Sequence, residues 1–168
     1  MQEDWDPIEP ADPEFAALLT TSHLKVVGVP LAPGTSLEDM APADAAHWLY
    51  RDAPFVLLAH RLTADPVFCY ANLAAQRTFG YSWDEFIGLP SRYSAATPDR
   101  AERDRLFERV ASYGFIDDYR GLRITRSGAQ FWIDDATVWN LLDAHGRLHG
   151  QAAVFAPPAP PGQPAPPS

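Results

Sequence analysis

Three apolar runs toward the C-terminal end, Tyr119 to Thr125, Gln130 to Leu142 and Leu148 to Phe155, are separated only by Arg126-Ser127-Gly128 and Asp143-Ala144-His145-Gly146. Connections this short reverse a strand and cannot carry it across to a parallel neighbour, so the runs predict an antiparallel meander. Directly after Phe155 the chain becomes Ala156-Pro157-Pro158-Ala159-Pro160-Pro161 and continues proline-rich to Ser168. Proline fixes φ and has no N–H to give to a ladder, so the sheet is expected to end at Phe155. Residues 156–168 then read as a disordered polyproline tail, solvated unless an aromatic-lined groove on a partner holds it.

Upstream, Phe55 to His60 and Val67 to Ala71 are two more short apolar runs, joined through Asp65-Pro66; they predict two adjacent strands. Asn72 to Phe79 is helix-like, with Asn72 suited to cap it, and Ser82-Trp83-Asp84-Glu85 is a capping box. Thr97-Pro98-Asp99 opens the longest predicted helix, whose apolar face of Leu106, Phe107, Val110 and Tyr113 ends at Gly114. Nearer the N-terminus, Phe15, Leu18, Leu19 and Leu24 form a stripe on a helix beginning near Pro13, and Ala46, Leu49 and Tyr50 mark a second from Pro42 to Arg51. The sum is α+β: a five-stranded antiparallel sheet with short helices on one face, plus N-terminal helices. The expected division is a helical extension over 1–48, the sheet domain over 49–155 and the tail.

Such a chain has room for a core and a pocket, since 168 residues bury roughly 70% of their unfolded surface. The formal net charge of −9, with Lys25 the only lysine, supplies no basic field for phosphates, which argues against nucleic acid and against anionic membrane. No run approaches the ~18 apolar residues of a membrane span, and the start Met1-Gln2-Glu3-Asp4-Trp5-Asp6 has no basic n-region. A single cysteine, Cys69, allows neither an intramolecular disulfide nor a cysteine metal cage, and a reducing cytoplasm is the expected compartment.

The order of elements resembles the PAS superfamily, and the stretch from about Leu49 to Phe155 resembles the MEKHLA domain. The residues that carry this are Ala53-Pro54-Phe55-Val56-Leu57-Leu58-Ala59-His60, Asp65-Pro66-Val67-Phe68-Cys69-Tyr70-Ala71-Asn72, Trp83-Asp84-Glu85-Phe86 and Leu89-Pro90-Ser91-Arg92-Tyr93-Ser94-Ala95. Gly114-Phe115-Ile116-Asp117-Asp118-Tyr119, Val138-Trp139-Asn140-Leu141-Leu142-Asp143 and Gly150-Gln151-Ala152-Ala153 add to them. Gly88-Leu89-Pro90-Ser91-Arg92-Tyr93 is also similar to the flavin-binding LOV pattern, but Ser91 stands where the photoactive cysteine would be, so adduct photochemistry is not expected. Phe131-Trp132-Ile133 likewise replaces the LOV Phe-Trp-Asn, losing an amide that would read a flavin edge. Flavin and haem are the cofactors the superfamily brings to mind, and neither motif is complete.

The resemblance implies a small-molecule site between the inner sheet face and the short helices, near His60, Tyr70, Asn72, Phe79, Ser91, Arg92, Trp139, Asn140 and Gln151. On that reading Trp139 and Tyr70 wall the site while Asn140, Gln151 and Arg92 orient polar ligand atoms; otherwise the aromatics are core and the polar groups serve the backbone. Arg92 is open to a ligand anion or to an acid such as Asp117. His60 suits haem or a proton switch, or is a hydrogen-bonded histidine at the core edge. His145 and His149 are separated by a turn with no carboxylate expected beside them, so no metal is expected. Within the pairs Asp117-Asp118 and Asp134-Asp135 strand neighbours point to opposite faces, which disfavours paired acid/base catalysis.

The function expected is therefore a stand-alone PAS-like sensory or ligand-binding module with a regulatory role, signalling through an unknown partner or as a homodimer. A ligand-free interaction module is the alternative. A small enzyme using His60 with Asp117, Asp118, Asp134 or Asp135 is a third, which requires those groups to meet in one cleft.

Overall fold

The computed structural model describes residues 8–61, 63–95 and 100–158. The cap expected at Thr97-Pro98-Asp99 and the tail beyond Pro158 lie outside them. Helix α1 (Pro13–Val27) opens where the Asp12 carboxylate accepts from the Phe15 amide at 2.8 Å and closes on Gly28, whose φ of 92° is the left-handed geometry of a helix stop. Helix α2 (Pro42–His47) widens into a π-type turn over Trp48–Asp52 before strand β1 (Val56–His60). Strand β2 (Phe68–Ala71) follows, then α3 (Leu73–Phe79), and α4 (Trp83–Phe86) with the expected reciprocal bonds between Ser82 and Glu85. Helix α5 (Arg100–Tyr113) leads into β3 (Phe115–Ile124), β4 (Gln130–Leu142) and β5 (Leu148–Phe155).

β3 begins at Phe115 rather than at Tyr119. Gly114, at φ 94°, turns the chain straight from helix to strand, and its carbonyl accepts from the Asn140 amide at 2.9 Å. The register shifts between Ile116 and Tyr119, so exposed Asp117 and Asp118 interrupt the alternation by which a strand is recognised.

The five strands lie in the order β2-β1-β5-β4-β3, every neighbouring pair antiparallel. Because side chains alternate across the sheet, each strand feeds two cores. On the inner face Val56, Leu58, Phe68, Val138 and Phe155 pack against Phe79 of α3, Phe86 of α4 and Leu106 of α5. On the outer face Leu57, Ala59, Trp139, Leu141 and Ala152 pack beneath Ala16 and Leu19 of α1. The N-terminal helices thus form a layer of their own on the side opposite the short helices. Burial on both sides explains why β1 is apolar without alternation.

Candidate functional site

The inner face carries a row of buried polar side chains. The ladder sets His60 of β1 opposite Gln151 of β5, and Gln151 opposite Asn140 of β4. Gln151 Nε2 donates to Asn140 Oδ1 at 3.1 Å, and Asn140 Nδ2 donates to the Val110 carbonyl of α5 at 3.1 Å. Gln151 is 1% exposed, and its Oε1 has no hydrogen-bond partner among the described residues. Gly150 is what lets β5 lie this close: at φ 154° a Cβ there would strike the His60 carbonyl.

Beside this row lies a cavity of about 50 Å³ whose walls include Leu58, Phe68, Leu106, Ile133, Val138 and Phe155 and whose polar groups are His60, Ser91, Ser94 and Arg123. His60 Nδ1 lies 3.2 Å from the Arg61 carbonyl. Ser94 Oγ donates to the Ser91 carbonyl at 2.7 Å, tightening the helical turn Ser91–Ser94 that floors this side. Arg123 is 9% exposed and donates through Nη2 to Tyr119 Oη at 2.9 Å and through Nη1 to the Leu122 carbonyl at 3.2 Å. The lining thus sets these polar side chains against an apolar wall.

Of the residues expected at the site, His60 and Ser91 line this cavity, and Asn140 and Gln151 stand in the adjoining row. The others lie elsewhere. Trp139 is one residue from Asn140 and faces the outer side, where its indole Nε1 donates to Ser22 Oγ of α1 at 2.9 Å and its ring meets the His23 ring edge-on at 4.7 Å. Tyr70 also faces outward, between Phe15 and Trp83, and burial raises its phenol pKa. Phe79 is inner-face core, against Phe86 and Phe131. Asn72 is a structural junction: Oδ1 accepts from the amides of Ala75 and Leu57, and Nδ2 donates to the carbonyls of Phe55 and Leu49.

Arg92 meets an acid, but Asp65 in the β1–β2 turn rather than Asp117; its Nε lies 3.2 Å from both carboxylate oxygens. A carboxylate does sit beside His149, contrary to expectation. Asp143 Oδ2 is 2.8 Å from His149 Nε2, while Oδ1 accepts from the amides of His145 and Arg147, so Asp143 ties the β4–β5 hairpin and its carboxyl is held well below the usual range, chiefly by His149. Among the described residues no group of three or more His, Cys, Asp or Glu side chains could hold a metal. Asp117, Asp118, Asp134 and Asp135 are exposed, whereas His60 lines the inner cavity, so the cleft an acid/base enzyme would need is not assembled from them. Burial pushes the Cys69 thiol up to about 12, which leaves it an inert apolar filler.

Arg123 and Ser94 were not among the expected site residues. The signal for Arg123 was present, since Tyr119, Gly121 and Arg123 share one face by simple alternation. A second and larger cavity, about 460 Å³, opens between α1 and residues 30–45 and is lined by groups such as Ala16, Thr20, Leu24, Leu31, Leu37 and Met40.

The family model of the MEKHLA domain matches residues 13–157, a range that begins with α1. No curated protein matches the chain. Among solved structures, the chain is similar to the PAS domain of a protein from Colwellia psychrerythraea (TM-score 0.57, 13% identity, covering 66% of this chain and 92% of that one). It is similar also to an RNA-binding light-oxygen-voltage receptor (TM-score 0.61, 20% identity, 75% of this chain and 35% of that one). A blue-light activated histidine kinase from Erythrobacter litoralis matches as well (TM-score 0.55, 18% identity, 64% and 34%). The chain therefore spans about a third of the length of the two photoreceptors, and at these identities the likeness is one of fold. A flavin or haem does not fit the inner-face cavity, whose volume of about 50 Å³ is far below the roughly 300–1,000 Å³ of cofactor and drug-sized sites.

Proposed function

This chain belongs to the MEKHLA domain family, whose fold here is PAS-like, and from that premise we propose that it is a sensory module in which a small molecule in the inner-face cavity is read out by the helical layer on the opposite face. The observation that carries this reading is the placement of Asn140 and Trp139 on β4. Asn140 ends the polar row beside the cavity, and the next side chain back along the strand, Trp139, holds α1 through Ser22 and His23. A change in the hydrogen bond from Gln151 to Asn140 acts on the residue one peptide away from the anchor of α1. The buried, unsatisfied Gln151 Oε1 supplies the motive for such a change, because an orphaned acceptor costs about 1–3 kcal/mol and a rearrangement that offers it a donor is favoured by as much. Signal then leaves through α1 toward a partner or a second copy.

The test is hydrogen exchange along α1 in wild type and in Gln151→Leu. The variant is expected to change exchange several-fold in the turn around Leu19 to His23 while the far strand β2 keeps its wild-type protection. Identical α1 exchange in a variant whose inner face is shown to have changed would sink the reading. A second reading, a ligand-free interaction module, draws support from the small size of the cavity, and an absorption spectrum with native mass spectrometry of the purified protein separates the two. Added mass or a chromophore supports the sensor, and a bare colourless species supports the interaction module.

A further inference from the structure

We propose that the cavity between α1 and residues 30–45 binds an uncharged aliphatic molecule of medium chain length with a hydrogen-bonding end, such as a primary alcohol; the site is separate from the inner-face cavity and stands whether or not the sensory reading does. Three observations converge. First, α1 has two apolar stripes where a surface helix needs one. Leu19, Ser22 and His23 are buried toward the sheet, against Trp139. Pro13, Ala17, Thr20 and Leu24, at the helical spacing i, i+4, i+7 and i+11, instead line the cavity. This second stripe is exposed or half-buried and carries no charge, although a helix face turned to solvent is ordinarily polar.

Second, the facing wall is apolar and fixed in shape. Leu31, Ala32 and Leu37 line the cavity and are at the same time buried in the outer core, so packing behind them holds the surface they present. The Thr35 amide donates to the Ala32 carbonyl and the Met40 amide to the Leu37 carbonyl, each at 3.1 Å, closing two turns of this wall. Met40 adds an unbranched side chain that adapts to the outline of a ligand. The volume of about 460 Å³ lies within the roughly 300–1,000 Å³ of small-molecule sites. At ~30 Å³ per water-sized group it takes about fifteen of them, enough for a chain of about ten carbons with its oxygen.

Third, the polar groups select the end of the chain. Thr20 Oγ1 donates to the Ala16 carbonyl at 3.2 Å and Thr21 Oγ1 to the Ala17 carbonyl at 2.7 Å, so the hydroxyls of the helix wall spend their donors on α1 itself. Thr35 and Glu38 are the polar side chains lining the facing wall. An alcohol can donate to the Glu38 carboxylate and accept from the Thr35 hydroxyl. A carboxylate in its place would meet the like charge of Glu38, in a chain whose net charge is already −9.

The experiment is calorimetric titration of the full chain with hexanol, octanol and decanol, against decanoate, at neutral pH and constant ionic strength, with the Met40 methyl resonance followed by NMR. Affinity is expected to rise about three- to four-fold per methylene. Decanoate should bind several-fold more weakly than decanol, and Glu38→Gln should narrow that gap. Ala17→Trp fills the cavity from the exposed helix wall and is expected to abolish binding at an unchanged melting temperature. Should that variant fail to fold, Leu24→Glu decides: Leu24 is 53% exposed, and a charge there should weaken decanol several-fold. Decanoate binding as tightly as decanol overturns the uncharged end. Decanol that leaves the Met40 methyl unmoved, or that binds Ala17→Trp as it binds wild type, lies elsewhere and overturns the site. If no alcohol binds, the proposal is wrong, and a dimer in sedimentation that Leu24→Glu splits would then give the groove to a second copy of the chain. The α1 exchange of Gln151→Leu tests the sensory reading separately in every case.

Discussion

The inner and outer faces of the sheet are made by alternate residues of the same strands, yet they are filled in opposite ways. The outer face is closed by large apolar groups under α1, with Trp139 fully buried and its one polar atom satisfied by Ser22. The inner face beside it keeps a polar row, an unsatisfied amide oxygen and a small cavity with a buried guanidinium. The outer face also has a buried atom without a partner among the described residues, the Tyr70 hydroxyl, but it stands between the rings of Phe15 and Trp83, whereas the inner face gathers its polar groups into a partly satisfied cluster, which leaves alternatives close in energy. The outer face reads as the fixed frame and the inner face as the part that can respond.

Trp139→Ala is the strongest way to break that contrast. It removes the largest fully buried side chain among the described residues and should cost about 3–5 kcal/mol, measured as a fall in the urea midpoint at unchanged slope. A loss below about 1 kcal/mol would mean that α1 is not fastened to the sheet as described.

A smaller effect should come from acid. Burial beside Trp139 lowers the pKa of His23 from 6.5, against the raising effect of the Val29 carbonyl 2.7 Å from Nδ1. The neutral ring is therefore the folded form. As pH falls through 6.5 the unfolded chain takes up the proton first, so this contribution is whole above that value and is lost toward the folded pKa below it. Urea midpoints at about pH 8 and about pH 5.5 should differ in wild type and converge in His23→Gln. An equal pH dependence in the variant would move the titration away from the α1 interface.

The smallest effect belongs to neither face. Arg92 and Asp65 are side-chain exposed by 39% and 51%, so Arg92→Ala should change the stability read from the urea midpoint by no more than about 0.5 kcal/mol. A loss above about 1 kcal/mol would mean that this pair holds the turn Ser91–Ser94 against the β1–β2 connection more firmly than an exposed ion pair does.

Much of this was legible in the chain. Asn72 as a cap, the Ser82–Glu85 box and the extents of β4 and β5 follow from local chemistry, because a cap needs only its own amides and a hairpin only its turn. The site was legible in part. His60, Asn140 and Gln151 were drawn to one place by family resemblance, but Trp139 and Tyr70 were drawn with them, although Trp139 adjoins Asn140 and must face the other way. Arg123 was passed over because the charge of a strand residue says nothing of which face is buried until the strand has a register.

By itself, then, the sequence determined what local stereochemistry can determine: the antiparallel meander, the caps at Asn72 and Ser82, and the end of the sheet at the prolines. Only the tertiary structure decided which residues of each strand share a face, that α1 lies on the side away from the short helices, and that Tyr119 crosses Gly121 to reach Arg123. Those facts depend on how side chains distant along the chain fill one another's space, such as Trp139 against Ser22, and no local preference encodes that fit.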